Sequence, residues 1–222
     1  YLLNKYIEFL KEKGIGIGIT ASTGIAATHI GGLTIHSWSG IGISRFASDK
    51  DIKEIAANRR IAKRFVRAET LIIDEISMLD ADRLSLVDRV ARAVRGSWKP
   101  FGGIQMIFCG DFFQLPPITK EGEPSSKFAY HSPAWKELQP KICYLTEQFR
   151  QGEDDLLKVL KAIRQSQVNE ELTRCLDARK DAILPGGRIT KLYSHNIDVD
   201  AENFRELRKL PGEEITYYMA TS

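Results

Sequence analysis

Apolar residues along this chain recur with two periods. Leu2, Leu3, Tyr6, Ile7 and Leu10 fall three and four apart, which predicts a helix over residues 1–13 stopped by Gly14. Residues 14–20 alternate glycine with isoleucine and end on Thr20, which predicts a strand whose glycines suit a crowded central place in a sheet. Leu71, Ile72 and Ile73 form an unbroken apolar run, the mark of a strand buried on both faces. Residues 103–111 and 141–145 read as further strands. Between them, residues 51–67 read as one helix with Ile52, Ile55, Ile61 and Phe65 on its apolar side, and residues 31–40 as a glycine-bounded loop. Asp80 can cap a helix that buries Leu84, Val87, Ala91 and Val94 and shows Arg83, Arg89, Arg92 and Arg95 around it. A helix with Leu156, Leu157, Leu160 and Ile163 inward follows the strand at 141–145.

Strands alternating with helices, each strand running out into a small or polar cluster, predict an α/β fold with a parallel, doubly wound sheet. Gly186 and Gly187 break the pattern, and a strand at 189–193, a helix carrying Val199, Phe204 and Leu207, and a further stretch at 214–218 open a second α/β unit. Residues 1–185 are therefore expected to form a first domain and residues 186–222 the start of another. The first helix starts without a cap, so residues before Tyr1 are expected to belong to the protein.

With 222 residues, 43% hydrophobic and 27% charged, the chain can bury an ample core. A net charge of +3 announces no polyanion by itself, so its distribution matters. Lys50, Lys53, Arg59, Arg60, Lys63, Arg64 and Arg67 gather on one predicted helix, either as a solvated basic face or as phosphate contacts. No apolar run approaches the roughly 20 residues of a membrane span and no signal-peptide pattern opens the chain, so no membrane partner is expected. Cys109, Cys143 and Cys175 are odd in number and lack metal-ligand spacing, which reads as reduced thiols in an intracellular protein.

The chemistry gathers where strands end. Asp74 and Glu75 follow an apolar strand directly, and carboxylates so close to a core must meet a metal ion, a water or a cation. In open α/β sheets that place is the crevice at the carboxyl ends of the strands. Apolar strand, Asp, Glu is the second nucleotide motif of P-loop ATPases, in which the Asp holds Mg²⁺ and the Glu orients the attacking water. Ser22-Thr23-Gly24 after Thr20, Gly110-Asp111 with Gln114, and Arg150 would converge on the same crevice. The set supplies a metal-binding carboxylate, a water-positioning group, a neutral γ-phosphate sensor and a charge-spreading arginine. Nothing matches G-x-x-x-x-G-K-[ST], so no cradle for a triphosphate lies within the chain.

Taken in order, Thr20 to Ala27, the Gly-Gly-Leu-Thr-Ile-His-Ser loop, Asp74 to Asp80, Gly103 to Pro117 and Leu145-Thr146-Glu147-Gln148-Phe149-Arg150-Gln151 closely resemble the Pif-type helicases. These are the petite-integration-frequency family, the RecD-like branch of superfamily 1. The stretch from Glu75 to about Arg95 resembles the signature that sets the family apart, and residues 192–212 are similar to the start of its second RecA-like domain. The resemblance implies a P-loop NTPase fold and an ATP-dependent DNA helicase moving 5′ to 3′ on single-stranded DNA. It also implies ATP and Mg²⁺ as cofactors, with Asp74 binding the metal, Glu75 activating water, Gln114 contacting the γ-phosphate and Arg150 reaching across the cleft. The missing phosphate-binding loop is then expected immediately before Tyr1.

For DNA, the resemblance points to the two loops after the glycine-rich strand. Ser22, Thr23, Gly24, Thr34, His36 and Trp38 offer hydroxyls, backbone N–H groups, an imidazole and an aromatic face, and the loops are poor in carboxylates. Trp38 and Phe46 could stack on bases, though core packing is the commoner use of a single aromatic. Single-stranded, forked or structured DNA is the expected partner of a monomer working in repair, recombination or telomere maintenance, in nucleus, mitochondrion or bacterial cytoplasm. Two other readings stay open: a nucleotide-binding switch without a nucleic-acid track, and a non-catalytic module that keeps the sheet alone.

Overall fold

The structure, a computed structural model, describes all residues except 120–123, 148, 150–154, 181–189, 213–214 and 219–222. It divides into two compact units, Tyr1–Gln151 and Gly152–Ser222. The expected boundary at 185/186 falls outside the described residues.

In the first unit the chain runs through α1 (Leu2–Glu12), β1 (Ile17–Ala21), α2 (Gly24–His29), β2 (Leu33–Thr34), α3 (Ile35–Ser39), α4 (Asp49–Ala57), α5 (Arg59–Arg67), β3 (Thr70–Asp74), α6 (Ala81–Arg95), β4 (Gln105–Phe108) and α7 (Pro133–Leu138). The strands pair in the order β2-β1-β3-β4, all parallel, with Ile19 beside Ile72 and Ile72 beside Ile107. Parallel strands place all their carboxyl ends along one edge, so β1 and β3, both internal, deliver Ser22 and Asp74 side by side.

Leu71 and Ile73 enter a core with Ile35, Trp38, Phe65, Leu84, Val87, Val90 and Phe101, while Ile72, pointing the other way by strand alternation, lies outside that cluster and is equally buried. Gly18 earns its central place by contact: a Cβ there would stand 2.7 Å from both Leu71 Cδ1 and Trp38 Cζ2. The ring of Trp38 meets that of Phe65 edge to face, centroids 4.7 Å apart.

Four expectations change. Residues 51–67 are two helices, because Asn58 takes an extended backbone that ends α4 while its Oδ1 accepts from Arg60 N and Ile61 N to start α5. The glycine-bounded segment is ordered as β2 and α3, with the Thr34 hydroxyl accepting from Ser37 N at 3.3 Å and Gly40 closing the turn at φ 81°. Residues 141–145 join no strand, and Ile142, Tyr144 and Leu145 stand exposed.

The fourth concerns the arginines of α6, which are struts between elements. Arg83 donates to Ile43 O at 3.0 Å, Arg89 to Ala47 O at 2.8 Å, and Arg92 pairs with Asp88 and Glu137. Arg95 serves three carbonyls, Gly102 at 2.8 Å, Phe65 at 2.9 Å and Ala68 at 3.0 Å. The helix itself starts as expected, on Asp80 Oδ1 accepting from Arg83 N at 2.9 Å.

The second unit holds α8 (Asp155–Arg164), α9 (Glu170–Lys180) and α10 (Asn196–Leu207). In α8 Leu157 and Val159 are buried, whereas Leu156, Leu160 and Ile163 are about half exposed, so the inward face is narrower than the spacing suggests. The described residues of the expected strands, 190–193 and 215–218, carry no strand pairing.

Arg95→Met keeps the stem and removes the donors to three carbonyls, so it should destabilise the fold by about 2–3 kcal/mol. Urea unfolding measures this; an unchanged midpoint would mean that water already satisfies those carbonyls.

Candidate functional site

The carboxyl edge of the sheet is fastened around Asp74 and Glu75. On one side Ser22 N donates to Asp74 O at 3.0 Å and Ser22 Oγ to Glu75 O at 2.7 Å. On the other, Cys109 N donates to Ile73 O at 3.0 Å and Cys109 O accepts from Ile76 N at 3.0 Å. Gly110 makes that approach possible, since a Cβ there would lie 2.9 Å from Ile76 N. Glu75 itself is left-handed, φ 53° and ψ 44°, a conformation that costs a non-glycine residue about 1 kcal/mol or more and clusters at functional sites. The turn lets Asp74 Oδ1 accept from Glu75 N at 3.0 Å and starts the 3-10 turn Ile76–Met78.

The Cys109 thiol beside this pair is pushed up to about 11, first by burial, then by the charge of Asp74 and the hydrogen bond it shares with that carboxylate, and by Glu75. It stays a neutral thiol. Among the described residues no group of three or more His, Cys, Asp and Glu side chains could hold a metal ion. A lone half-buried carboxylate such as Asp74 instead fits Mg²⁺, which commonly takes one or two protein carboxylates and completes its shell with phosphates and water.

Gln114 lies on an exposed turn off β4 built by Asp111, whose Oδ1 accepts from Phe113 N at 3.0 Å and whose Oδ2 accepts from Gln114 Nε2 at 3.2 Å. Arg150 lies outside the described residues.

Beside the acidic pair opens a cleft of about 290 Å³ lined by Ser22, Thr23, His36, Met78, Asp80, Arg83 and Ile118. The structure thereby brings together three of the residues singled out for DNA, Ser22 and Thr23 from the turn after β1 and His36 from α3. Thr23 holds the start of α2, its hydroxyl accepting from Ala26 N at 3.3 Å, and the exposed Gly24 follows. Thr34 caps α3 at the end of β2. Trp38 does not belong with them: it is 6% exposed and packed on Phe65, so the reading of it as a base-stacking face fails, whereas Phe46 is 69% exposed with the Arg45 guanidinium over its ring, 5.7 Å from the centroid.

Sequence reasoning missed Met78, Asp80, Arg83 and Ile118 as wall residues. Asp80 was legible only as a helix cap, and Arg83 only as a solvated charge. In the fold Asp80 is 2% exposed and ion-paired with Arg83, whose Nε is buried without a hydrogen-bond partner.

A parallel sheet with an acidic pair at its carboxyl edge, held between the ends of β1 and β4, defines a RecA-like α/β domain. The model of the PIF1-like helicase family matches residues 1–174, and the chain belongs to that family. The ATP-dependent DNA helicase Pif1 of Psychrobacter sp. (strain PRwf-1) is 44% identical over 227 residues, covering 98% of this chain and 34% of that protein. Human PIF1, likewise named an ATP-dependent DNA helicase, is 40% identical over 219 residues, covering 96% and 33%. Among solved structures, Pif1 helicase from Candida albicans superposes with a TM-score of 0.85 at 36% identity, covering 96% of this chain and 49% of that one. Pif1 from Bacteroides in complex with ADP-AlF3 and ssDNA superposes at 0.74 with 32% identity, covering 89% and 48%. The chain thus spans about a third of the length of these curated relatives.

The imidazole of His36 is held below its ordinary value of 6.5 by burial first and by Arg83 second, with Asp80 opposing. A base with a lowered folded-state pKa binds protons more readily when unfolded, so its contribution to stability is present above 6.5 and is lost as the pH falls through the lowered value. His36→Gln should therefore lose less stability than the parent between pH 7.5 and 5.5. Parallel losses in thermal melts at both pH values would assign the acid sensitivity to other groups.

Proposed function

We propose that this chain is the first motor domain, with the beginning of the second, of an ATP-dependent DNA helicase that moves 5′ to 3′ along single-stranded DNA and opens duplexes. The observation that carries this is one of placement: the Asp74-Glu75 pair and the Ser22, Thr23 and His36 cleft share one edge of one sheet, separated by a single hydrogen bond. The names of the relatives and the ADP-AlF3 and ssDNA of the Bacteroides complex support it. The family match running to residue 174 favours counting α8 with the first domain, with the second beginning near residue 186.

In this reading Asp74 holds Mg²⁺, which when bound supplies positive charge to the phosphates of ATP. Glu75 accepts a proton from the attacking water, Gln114 senses the γ-phosphate, and Arg150 spreads the developing charge. Ser22, Thr23, Gly24, Thr34 and the neutral His36 bind the sugar-phosphate backbone of single-stranded or forked DNA as hydrogen-bonding groups. Phe46, exposed with Arg45 over its ring, is one ring available for stacking, and in this reading the protein works as a monomer in intracellular DNA repair, recombination or telomere maintenance.

The experiment uses the full-length protein. Glu75→Gln should bind ATP and oligothymidine as the parent does while turnover falls by about 10²-fold or more, because it removes the base and keeps the shape. Asp74→Asn should weaken Mg²⁺-dependent nucleotide binding itself. Equal loss of nucleotide affinity in both would reverse the assignment of the two carboxylates. Thr23→Ala with His36→Ala should weaken oligothymidine binding at two salt concentrations and leave DNA-independent hydrolysis nearly intact. Undiminished binding would move the track elsewhere, to the cationic helices α4 and α5.

A further inference from the structure

We infer that Ser22 is a positioning residue that transmits occupation of the cleft to Glu75, an inference that rests on the helicase reading above. The hydroxyl of Ser22 has one proton to donate, and in this structure Glu75 O receives it at 2.7 Å. That carbonyl has a second donor, Met78 N at 3.1 Å. Both donors belong to wall residues of the cleft, so the cleft is partly built from the groups that hold the backbone of the catalytic glutamate.

Glu75 needs such holding, because its left-handed turn is not a conformation a glutamate keeps by preference. A phosphate oxygen is a stronger acceptor than a peptide carbonyl. When a DNA phosphate enters the cleft, it competes for the single Ser22 proton, and Glu75 O is left with Met78 N alone. The constraint on Glu75 then relaxes, and the carboxylate reaches the position in which it activates water. Without DNA the bond holds Glu75 back and turnover is low. No long relay is required: one hydroxyl faces both ligands' territories, and its proton cannot serve two acceptors at once.

The alternative role for Ser22 is to stitch β1 to the end of β3. Its backbone does this already, Ser22 N donating to Asp74 O at 3.0 Å, and substitution leaves that bond in place. Ser22 lines the cleft wall and is 9% exposed, which places the residue beside an occupant and shields it from bulk water.

The test is the ratio of ATP turnover at saturating oligothymidine to turnover without DNA, in the full-length protein, with saturation removing any change in affinity from the comparison. Ser22→Ala should lower that ratio by about tenfold, mainly by raising DNA-free turnover relative to the stimulated rate. Ser22→Thr keeps a hydroxyl and should retain the parental ratio. If Ser22→Ala lowers both rates in proportion, or leaves both unchanged, Ser22 is only structural and the inference is overturned. If Ser22→Thr loses the ratio as completely as Ser22→Ala while its melting temperature is unchanged, the hydroxyl is not the carrier and the inference is again overturned. A parent protein whose turnover does not respond to oligothymidine at all would instead overturn the helicase reading, which separates the two failures.

Discussion

The arrangement of this domain depends on β3 being paired on both sides up to its last residue. Ile73 O is occupied by Cys109 N and Asp74 O by Ser22 N, so the strand cannot fray before it reaches the acidic pair. Its three central residues are fully buried, which fixes the strand along its length. Asp74 therefore leaves a rigid support at a defined height above the sheet. Catalytic geometry demands positioning to a fraction of an ångström, and side chains at strand ends reach that precision more readily than side chains on free loops.

The second constraint is polar. Helix α6 shares the core with β3, and the loops around it and the end of α5 present carbonyls that need donors: Ile43, Ala47, Phe65, Ala68, Trp98 and Gly102. Arginine can serve several at once because its donors form a planar fork. The partly covered cations are balanced where they sit, Arg83 by Asp80 and Arg92 by Asp88 and Glu137. A helix rich in arginine thus acts as an internal frame, and the domain's modest net charge says nothing of where its cations work.

Sequence alone exposed what has a sharp local signature. An apolar run ending in Asp-Glu and an aspartate three residues before Arg83 have sharp local signatures and fell where expected, whereas the glycine-rich strand expected over residues 14–20 begins only at Ile17, so that β1 keeps Gly18 alone of the alternating glycines. What stayed hidden depends on tertiary partners. Asn58 divides a segment whose composition is helical throughout, and a two-residue strand such as β2 has no periodicity to detect. Trp38 could stack or pack, and only the neighbouring Phe65 decides. Residues 141–145 have strand composition without a neighbour to pair with. The arginines of α6 look solvated because a pattern of residues does not record which carbonyls lack donors.

The brevity of β2 has its own consequence. An outer strand offers unpaired amide groups to any extended segment that drifts past, and long, flat edges invite one molecule to zip onto another. Here Leu33 and Thr34 are the whole of that border, after which the backbone curls at once into α3. A foreign strand arriving there finds two residues of template, too few to hold it, so on this flank the sheet is guarded against edge-to-edge aggregation by being cut short.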